Sequence, residues 1–239
     1  AVAWTDRRAV SNKNIFYSTL GHTYMVDTSP SGLQVTVDGA IRQTPVSLAW
    51  VSGSTHTVEA PAELMTEPET KLTWQSWSDS GTRMHSVVSG TPPTSLVASY
   101  SRQYKITVLV NPSTLVLPQQ GGWFADGAEV TFSAPSPIPI TAGQRYSFSH
   151  WSGNASGSEP TKHLVADTPL TVQANYERQF FVNVTSDRGN PTDPAWVDQG
   201  QDFTASVTSP AEEAAGKTRF TTKGYRVDGG TQLAGTSYT

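Results

Sequence analysis

Two stretches, Val97-Ala-Ser-Tyr100-Ser-Arg102-Gln103-Tyr104-Lys-Ile-Thr-Val-Leu-Val110 and Val172-Gln-Ala-Asn-Tyr176-Glu-Arg178-Gln179-Phe180-Phe-Val-Asn-Val-Thr-Ser186, are two versions of one phrase. Gln103 and Gln179 hold the same place in it. Each phrase alternates apolar and polar residues at a period of two, the pattern of a β-strand with one face buried. Repetition over so long an interval marks tandem units, each a small supersecondary assembly. Outward from the phrases the parallels continue. Trp77-Ser-Asp-Ser-Gly81 matches Trp151-Ser-Gly-Asn154, and Gly224-Tyr225-Arg-Val-Asp228-Gly-Gly230 falls at the same place in a third copy. Gly122-Trp123-Phe-Ala-Asp126-Gly127 and Ala195-Trp196-Val-Asp198-Gln-Gly200 form another matched pair. These matches predict three copies of one unit, at 25–103, 104–179 and 180–239, behind a tail of residues 1–24.

Within the copies nearly every segment reads as a strand. Val35-Thr-Val37, Val46-Ser-Leu48, His56-Thr-Val58, Glu129-Val-Thr-Phe132 and Phe203-Thr-Ala-Ser-Val207 are short and rich in β-branched or aromatic residues. Asp38-Gly39, Asp126-Gly127 and Asp228-Gly229 are turn dipeptides, because glycine accepts a positive φ and aspartate bonds its own backbone. No helical period persists over three turns; Pro210-Ala-Glu-Glu-Ala-Ala-Gly216 supplies one or two at most. Prolines 61, 68, 92, 93, 135, 137 and 139 fall in the connections, where they cost no central ladder bond. The expectation is an all-β chain of three tandem small antiparallel β-sandwich modules, Ig-like or PEGA-like. No Gly/Ser linker separates the copies, so one module's last strand runs into the first strand of the next. That favours an extended, stiff rod. The third copy, 180–239, is shorter than the second, 104–179, and stops before the counterpart of its last strand.

Composition excludes several classes of function. The chain has 239 residues, a net charge of -4 and only 15% charged residues. It offers no basic field for nucleic acid or an anionic membrane, and no apolar run of the ~20 residues that span a bilayer. Cysteine is absent, which removes thiol catalysis, disulfides and thiolate metal sites. The sequence opens at Ala1, with no signal-peptide pattern, and reads as a mature or excised piece.

The run Ser29-Pro-Ser-Gly32-Leu-Gln-Val35-Thr-Val37-Asp38-Gly39, followed by Thr44-Pro45, resembles the PEGA-type surface-protein domain, with Leu33 in place of that family's alanine. The second copy, through Gly122-Trp123-Phe-Ala-Asp126-Gly127 and Tyr146-Ser-Phe148-Ser-His-Trp151-Ser-Gly153, is similar to the divergent B-repeat of internalin-type proteins. Val2-Ala-Trp4-Thr-Asp6-Arg7 and Asn14-Ile-Phe-Tyr17-Ser look like the closing strands of a sialidase-type propeller blade, without a complete Asp-box. The resemblance implies tandem β-modules of secreted or surface proteins of bacteria and archaea. Such modules serve as stalks, spacers or adhesive arms and carry no known catalytic residues.

Three roles follow. The first is a non-catalytic extracellular spacer or adhesive region, with no cofactor, held among neighbouring domains of a parent protein. The second is a fibre subunit: Asn14, Ile15, Phe16, Tyr17 and Leu20 lie on an alternating strand that a neighbouring copy would insert into the incomplete third unit. The third is a carbohydrate-binding accessory region, in which Trp123 and Trp196 stack on sugar rings. Their recurrence argues rather for a packing role, since large aromatics dominate the burial of small β-modules. The remaining motifs have plainer readings beside the functional ones. Asp187, Asn190 and Asp193 place three oxygen-bearing side chains in one loop, a calcium candidate without EF-hand spacing and otherwise an Asx-turn loop. Asn154-Ala-Ser156 and Asn183-Val-Thr185 fit the N-glycosylation pattern. Glu63, Glu67 and Glu69 cluster in a proline-containing stretch read as a loop, a poor platform for a glycosidase pair. The five histidines lack zinc-site spacing, and no serine sits in a Gly-x-Ser-x-Gly elbow.

Overall fold

The computed structural model describes residues 2–5, 15–18, 21–90, 94–119, 121–214, 216–235 and 237–238. Every regular element among them is a β-strand and none is a helix. The two repeated phrases each form one unbroken strand: Ser95–Asn111, of 17 residues, and Leu170–Val182, of 13. Both far exceed the usual strand of about five or six residues. The chain divides into two compact units. Unit 1 comprises Ala1–Ile106, Gly122–Val130 and Val165–Leu170; unit 2 comprises Thr107–Gly121, Thr131–Leu164 and Thr171–Thr239.

In unit 1, residues 95–99 of Ser95–Asn111 run parallel to Gly21–Ser29, with Ser95 opposite Met25. On its other edge the same strand runs antiparallel to Thr70–Trp77, from Ala98 opposite Trp77 to Tyr104 opposite Thr70, with a bulge between Ser99 and Tyr100. Val46–Val51 extends this sheet beyond Gly21–Ser29, and Glu63–Glu67 extends it beyond Thr70–Trp77. A second sheet orders Met84–Val88, Thr55–Glu59, Gln34–Val37 and Ala40–Gln43. Period-two alternation turns alternate side chains of both sheets into one core. Tyr24, Val26, Trp77, Leu96 and Ala98 of the first sheet join Val35, Val37, Val58 and Val87 of the second. The Asp38-Gly39 turn predicted from sequence links Gln34–Val37 to Ala40–Gln43, with φ of 49° and 78°, the doubly positive geometry of a two-residue hairpin.

In unit 2, Gln144–Gly153 runs antiparallel to Leu170–Val182, with Trp151 opposite Ala174. Ile138–Thr141 flanks the first of these strands and Ala195–Asp198 the second. Pro139 sits inside Ile138–Thr141 rather than in a connection; the strand is at the sheet edge, where a missing N–H costs no ladder bond. Gly153 has φ +85°, and a Cβ there would lie 2.5 Å from Thr171 O, so only glycine lets the two backbones meet. The segment 211–214, read from sequence as a helical turn or two, is the strand Ala211–Ala214 paired with Thr218–Phe220. Glycine at 216 with φ +72° closes that pair as a tight turn instead of a helix end.

Candidate functional site

The recurrence in sequence becomes a recurrence of contacts. Thr70–Trp77 and Gln144–Gly153 each carry a cation as their second residue, Lys71 and Arg145. The Lys71 ammonium lies 4.9 Å from the centre of the Trp123 ring, and the Arg145 guanidinium 4.1 Å from that of Trp196. A cation over an indole face is attracted by the ring quadrupole, worth about 0.5–2 kcal/mol depending on desolvation. Both indoles are half-buried. The two matched tryptophans are therefore covered in the same way, by matched cations.

Around the second of these sites a row of side chains crosses three strands. Arg145, Gln179 and Asp198 stand opposite one another in register. Arg145 Nε donates to Gln179 Oε1 at 2.7 Å, and Gln179 Nε2 donates to Asp198 Oδ1 at 2.8 Å. Phe181 packs against Trp196 at 5.2 Å between ring centres. The neighbouring positions of the strand also pair a cation with an aromatic: the Arg178 guanidinium lies 5.1 Å from the Phe180 ring and donates to Gln144 Oε1. At the matching positions in unit 1, Arg102 donates to the Tyr104 hydroxyl at 3.5 Å. Backbone bonds repeat too. Asp126 N donates to Arg102 O, as Gln199 N does to Arg178 O; Lys105 N donates to Glu69 O, as Phe181 N does to Gly143 O. Arg219 follows Arg145 at the same interval by which Arg145 follows Lys71. It is exposed and has no aromatic ring over it among the described residues.

The other recurring aromatics are interior. Trp77 and Trp151 are 2% and 1% exposed, and each indole N–H donates at 3.0 Å to a backbone carbonyl, of Arg83 and Glu159 respectively. Tyr225, their counterpart, is only half-buried. Burial pushes the Tyr100 hydroxyl up to about 12, and this hydroxyl donates to Pro61 O at 3.0 Å. Burial raises the matching Tyr176 as well, where the hydroxyl has no partner among the described residues.

The remaining sequence candidates are scattered. Asn14 and Leu20 lie outside the described residues. Ile15, Phe16 and Tyr17 form part of the strand Ile15–Ser18, whose backbone pairs antiparallel with Val2–Thr5, Phe16 opposite Trp4. Asp187, Asn190 and Asp193 are exposed, and the Arg188 guanidinium between them lies over the Phe220 ring at 4.6 Å. Among the described residues no group of three or more His, Cys, Asp or Glu is placed to hold a metal ion. Asn154 is exposed, but its Oδ1 accepts from Thr171 N at 2.7 Å; Asn183 is exposed just past Leu170–Val182. Glu63 and Glu67 lie on a strand, not a loop. Glu63 pairs with Lys71 at 2.8 Å, and Glu69 in the following turn pairs with Lys105 at 3.4 Å.

Sequence reasoning missed one constellation. Ser54 Oγ lies 2.7 Å from His56 Nε2, and His56 Nδ1 lies 2.7 Å from Asp38 Oδ2. The residue types are those of a hydrolytic triad, but the serine belongs to a tight turn: Ser54 Oγ also donates to Val51 O at 2.6 Å, the carbonyl that closes the turn. The Ser54 N–H also serves Val51 O and the Gly53 N–H serves Ser89 O, so neither is aimed at an oxyanion. The imidazole is stacked on Trp50 at 4.1 Å with 6° between planes. The arrangement ties the Asp38 turn to the next strand: the His56 bond, aided by the Thr57 N–H and the charge of Arg42, holds the Asp38 carboxyl below its usual range. His85 is bound in a similar way, Nε2 at 2.8 Å from Asp79 Oδ2 and Nδ1 at 2.8 Å from Thr82 O.

Comparison with protein families, curated proteins and solved structures returned no match.

Proposed function

We propose that the chain is a non-catalytic structural region of a secreted or cell-surface protein, built from three tandem β-sandwich modules at 25–103, 104–179 and 180–239. Its work is to space or project neighbouring domains of the parent protein as a stiff, extended rod. The observation that carries this reading is the recurrence of one junction. An uninterrupted strand passes through the Tyr-x-Arg-Gln phrase, and a cation from the antiparallel strand beside it covers the indole that follows. A Gly/Ser linker would leave the bending angle free, whereas a continuous strand bonded on its edges resists it. The resemblance to PEGA-type and internalin-type repeats supports the same role and the extracellular setting.

Two alternatives make other demands. Stacking on sugars needs an open indole face, while Trp123 and Trp196 each carry a cation over the ring. Fibre assembly through residues 14–20 needs Ile15–Ser18 to leave its pairing with Val2–Thr5. Small-angle scattering with a sedimentation series tests the three together. The spacer reading expects an elongated monomer described by a narrow ensemble of shapes. A broad ensemble removes the stiff rod, and concentration-dependent filaments favour the fibre.

A further inference from the structure

The chain holds three methionines and no cysteine, so three thioethers are all of its sulfur. Methionine is among the residue types most often fully buried. Here all three stand in water: Met25 is 47% exposed, Met65 62% and Met84 58%. Period-two alternation puts Met25 there. It lies between Tyr24 and Val26, both fully buried, and so sits on the outer face of Gly21–Ser29, opposite Ser47 and Ser95 on the flanking strands. Met65 belongs to Glu63–Glu67, at the edge of the same sheet, opposite Lys71. Met84 begins Met84–Val88, the edge strand of the second sheet, opposite Glu59. The buried core between the two sheets is built of tyrosine, tryptophan, valine, leucine and alanine alone.

Placement decides what oxidation does to each sulfur. A peroxide reacts at a thioether in one step: its O–O bond breaks, the sulfur lone pair takes up one oxygen, and the other oxygen leaves as water. The sulfur is oxidised by two electrons and the peroxide is reduced by two. The reaction needs the oxidant to reach the sulfur, and it turns an apolar side chain into a polar one. In a core the new acceptor oxygen would be stranded without a donor; on an outer face water solvates it.

We propose that Met25, Met65 and Met84 are modification sites that accept oxygen from two-electron oxidants of the peroxide class while unit 1 stays folded. Each chain then consumes three equivalents of oxidant, one per methionine, and keeps its structure. The proposal goes beyond the spacer reading and does not rest on it.

The test treats the full chain with excess hydrogen peroxide at neutral pH and follows each methionine by peptide mass mapping. The same chain unfolded in guanidinium chloride gives the rate of each sulfur without protection. All three should oxidise in the folded chain within about fivefold of that rate, because reaction follows exposure. The thermal midpoint of the fully oxidised chain should fall by less than about 4 °C, the scale of a surface change. Both readouts use the unaltered sequence, so a misfolded variant cannot mimic the result. Protection of any one methionine by more than about tenfold overturns the proposal, since it would show that sulfur to be shielded. So does a larger fall of the midpoint, or loss of the cooperative transition, on full oxidation. Scattering by the untreated chain is independent of these outcomes, so the spacer reading and this proposal fail separately.

Discussion

The three positions Trp77, Trp151 and Tyr225 allow one substitution to be made in three settings. Replacing either tryptophan by alanine removes a side chain that is at most 2% exposed and breaks an indole N–H bond to a backbone carbonyl. Large-to-small changes of this kind cost about 3–5 kcal/mol, of which a lost hydrogen bond is about 1. Against a domain stability of roughly 5–15 kcal/mol, that brings the surrounding sheet close to unfolding. Tyr225→Ala removes a half-buried ring that packs against another tyrosine, Tyr238, at 5.3 Å. The ring is already partly in water, so less is lost than at either tryptophan, about 1–1.5 kcal/mol. Hydrogen exchange followed by mass spectrometry resolves the three regions separately. At about 1.4 kcal/mol per tenfold, exchange should quicken by two to three decades around Thr70–Trp77 in Trp77→Ala and around Gln144–Gly153 in Trp151→Ala. It should quicken about tenfold or less around 218–226 in Tyr225→Ala. A Tyr225→Ala effect as large as the other two would refute the reasoning, since it would mean that the third core is as closed as the first two.

Other outcomes follow from single groups. Gly153→Ala should destabilise unit 2 by about 2 kcal/mol or more, through positive φ and the 2.5 Å approach to Thr171 O; Gly39→Ala, with nothing within 4 Å, should cost only the backbone term of about 1 kcal/mol, and thermal melts of the pair check the contrast. Asp38 has a folded pKa below its ordinary 3.8, chiefly through His56, so its contribution is present above that value and fades as pH falls through the folded one. Melts of the chain and of Asp38→Asn should therefore differ at pH 6 and converge under strong acid. Tyr100 titrates near 12 when folded against 10.0 unfolded, so it stabilises below pH 10 and that contribution is lost as pH rises from 10 towards 12. Ultraviolet titration should find one tyrosine fewer ionising near pH 10 in the wild type than in the unfolded chain, beyond what Tyr176 withholds.

The strands were legible because alternation, Asp-Gly turns and the absence of helical period all point the same way, and the two long strands follow from the repeated phrases themselves. The error at 211–214 has a local cause: Ala-Glu-Glu-Ala has high helical propensity, and a tight glycine turn with cross-strand pairing overrides it. Glu63 and Glu67 were read as loop because prolines flank them, yet Pro61 and Pro68 fall just outside the strand ends. The cation partners of Trp123 and Trp196 were missed although the signal was present, since Lys71, Arg145 and Arg219 recur at one fixed interval. Only the fold shows that they reach the indoles, because the members of each pair are far apart in the chain. The Ser54, His56 and Asp38 cluster had no comparable signal: two of its members share one strand and its approach, and the third arrives from the Asp38 turn.

The central claim is that the repeated junction makes a stiff spacer, and the absence of cysteine allows a direct test. Cysteines introduced at the exposed Ile41 and Gln201 would carry spin labels at those two sites alone. Pulsed electron resonance then reads the distribution of distances between them. The account predicts one narrow peak, broadened when Arg145→Ala uncovers Trp196. A broad distribution in the otherwise unaltered chain would contradict it.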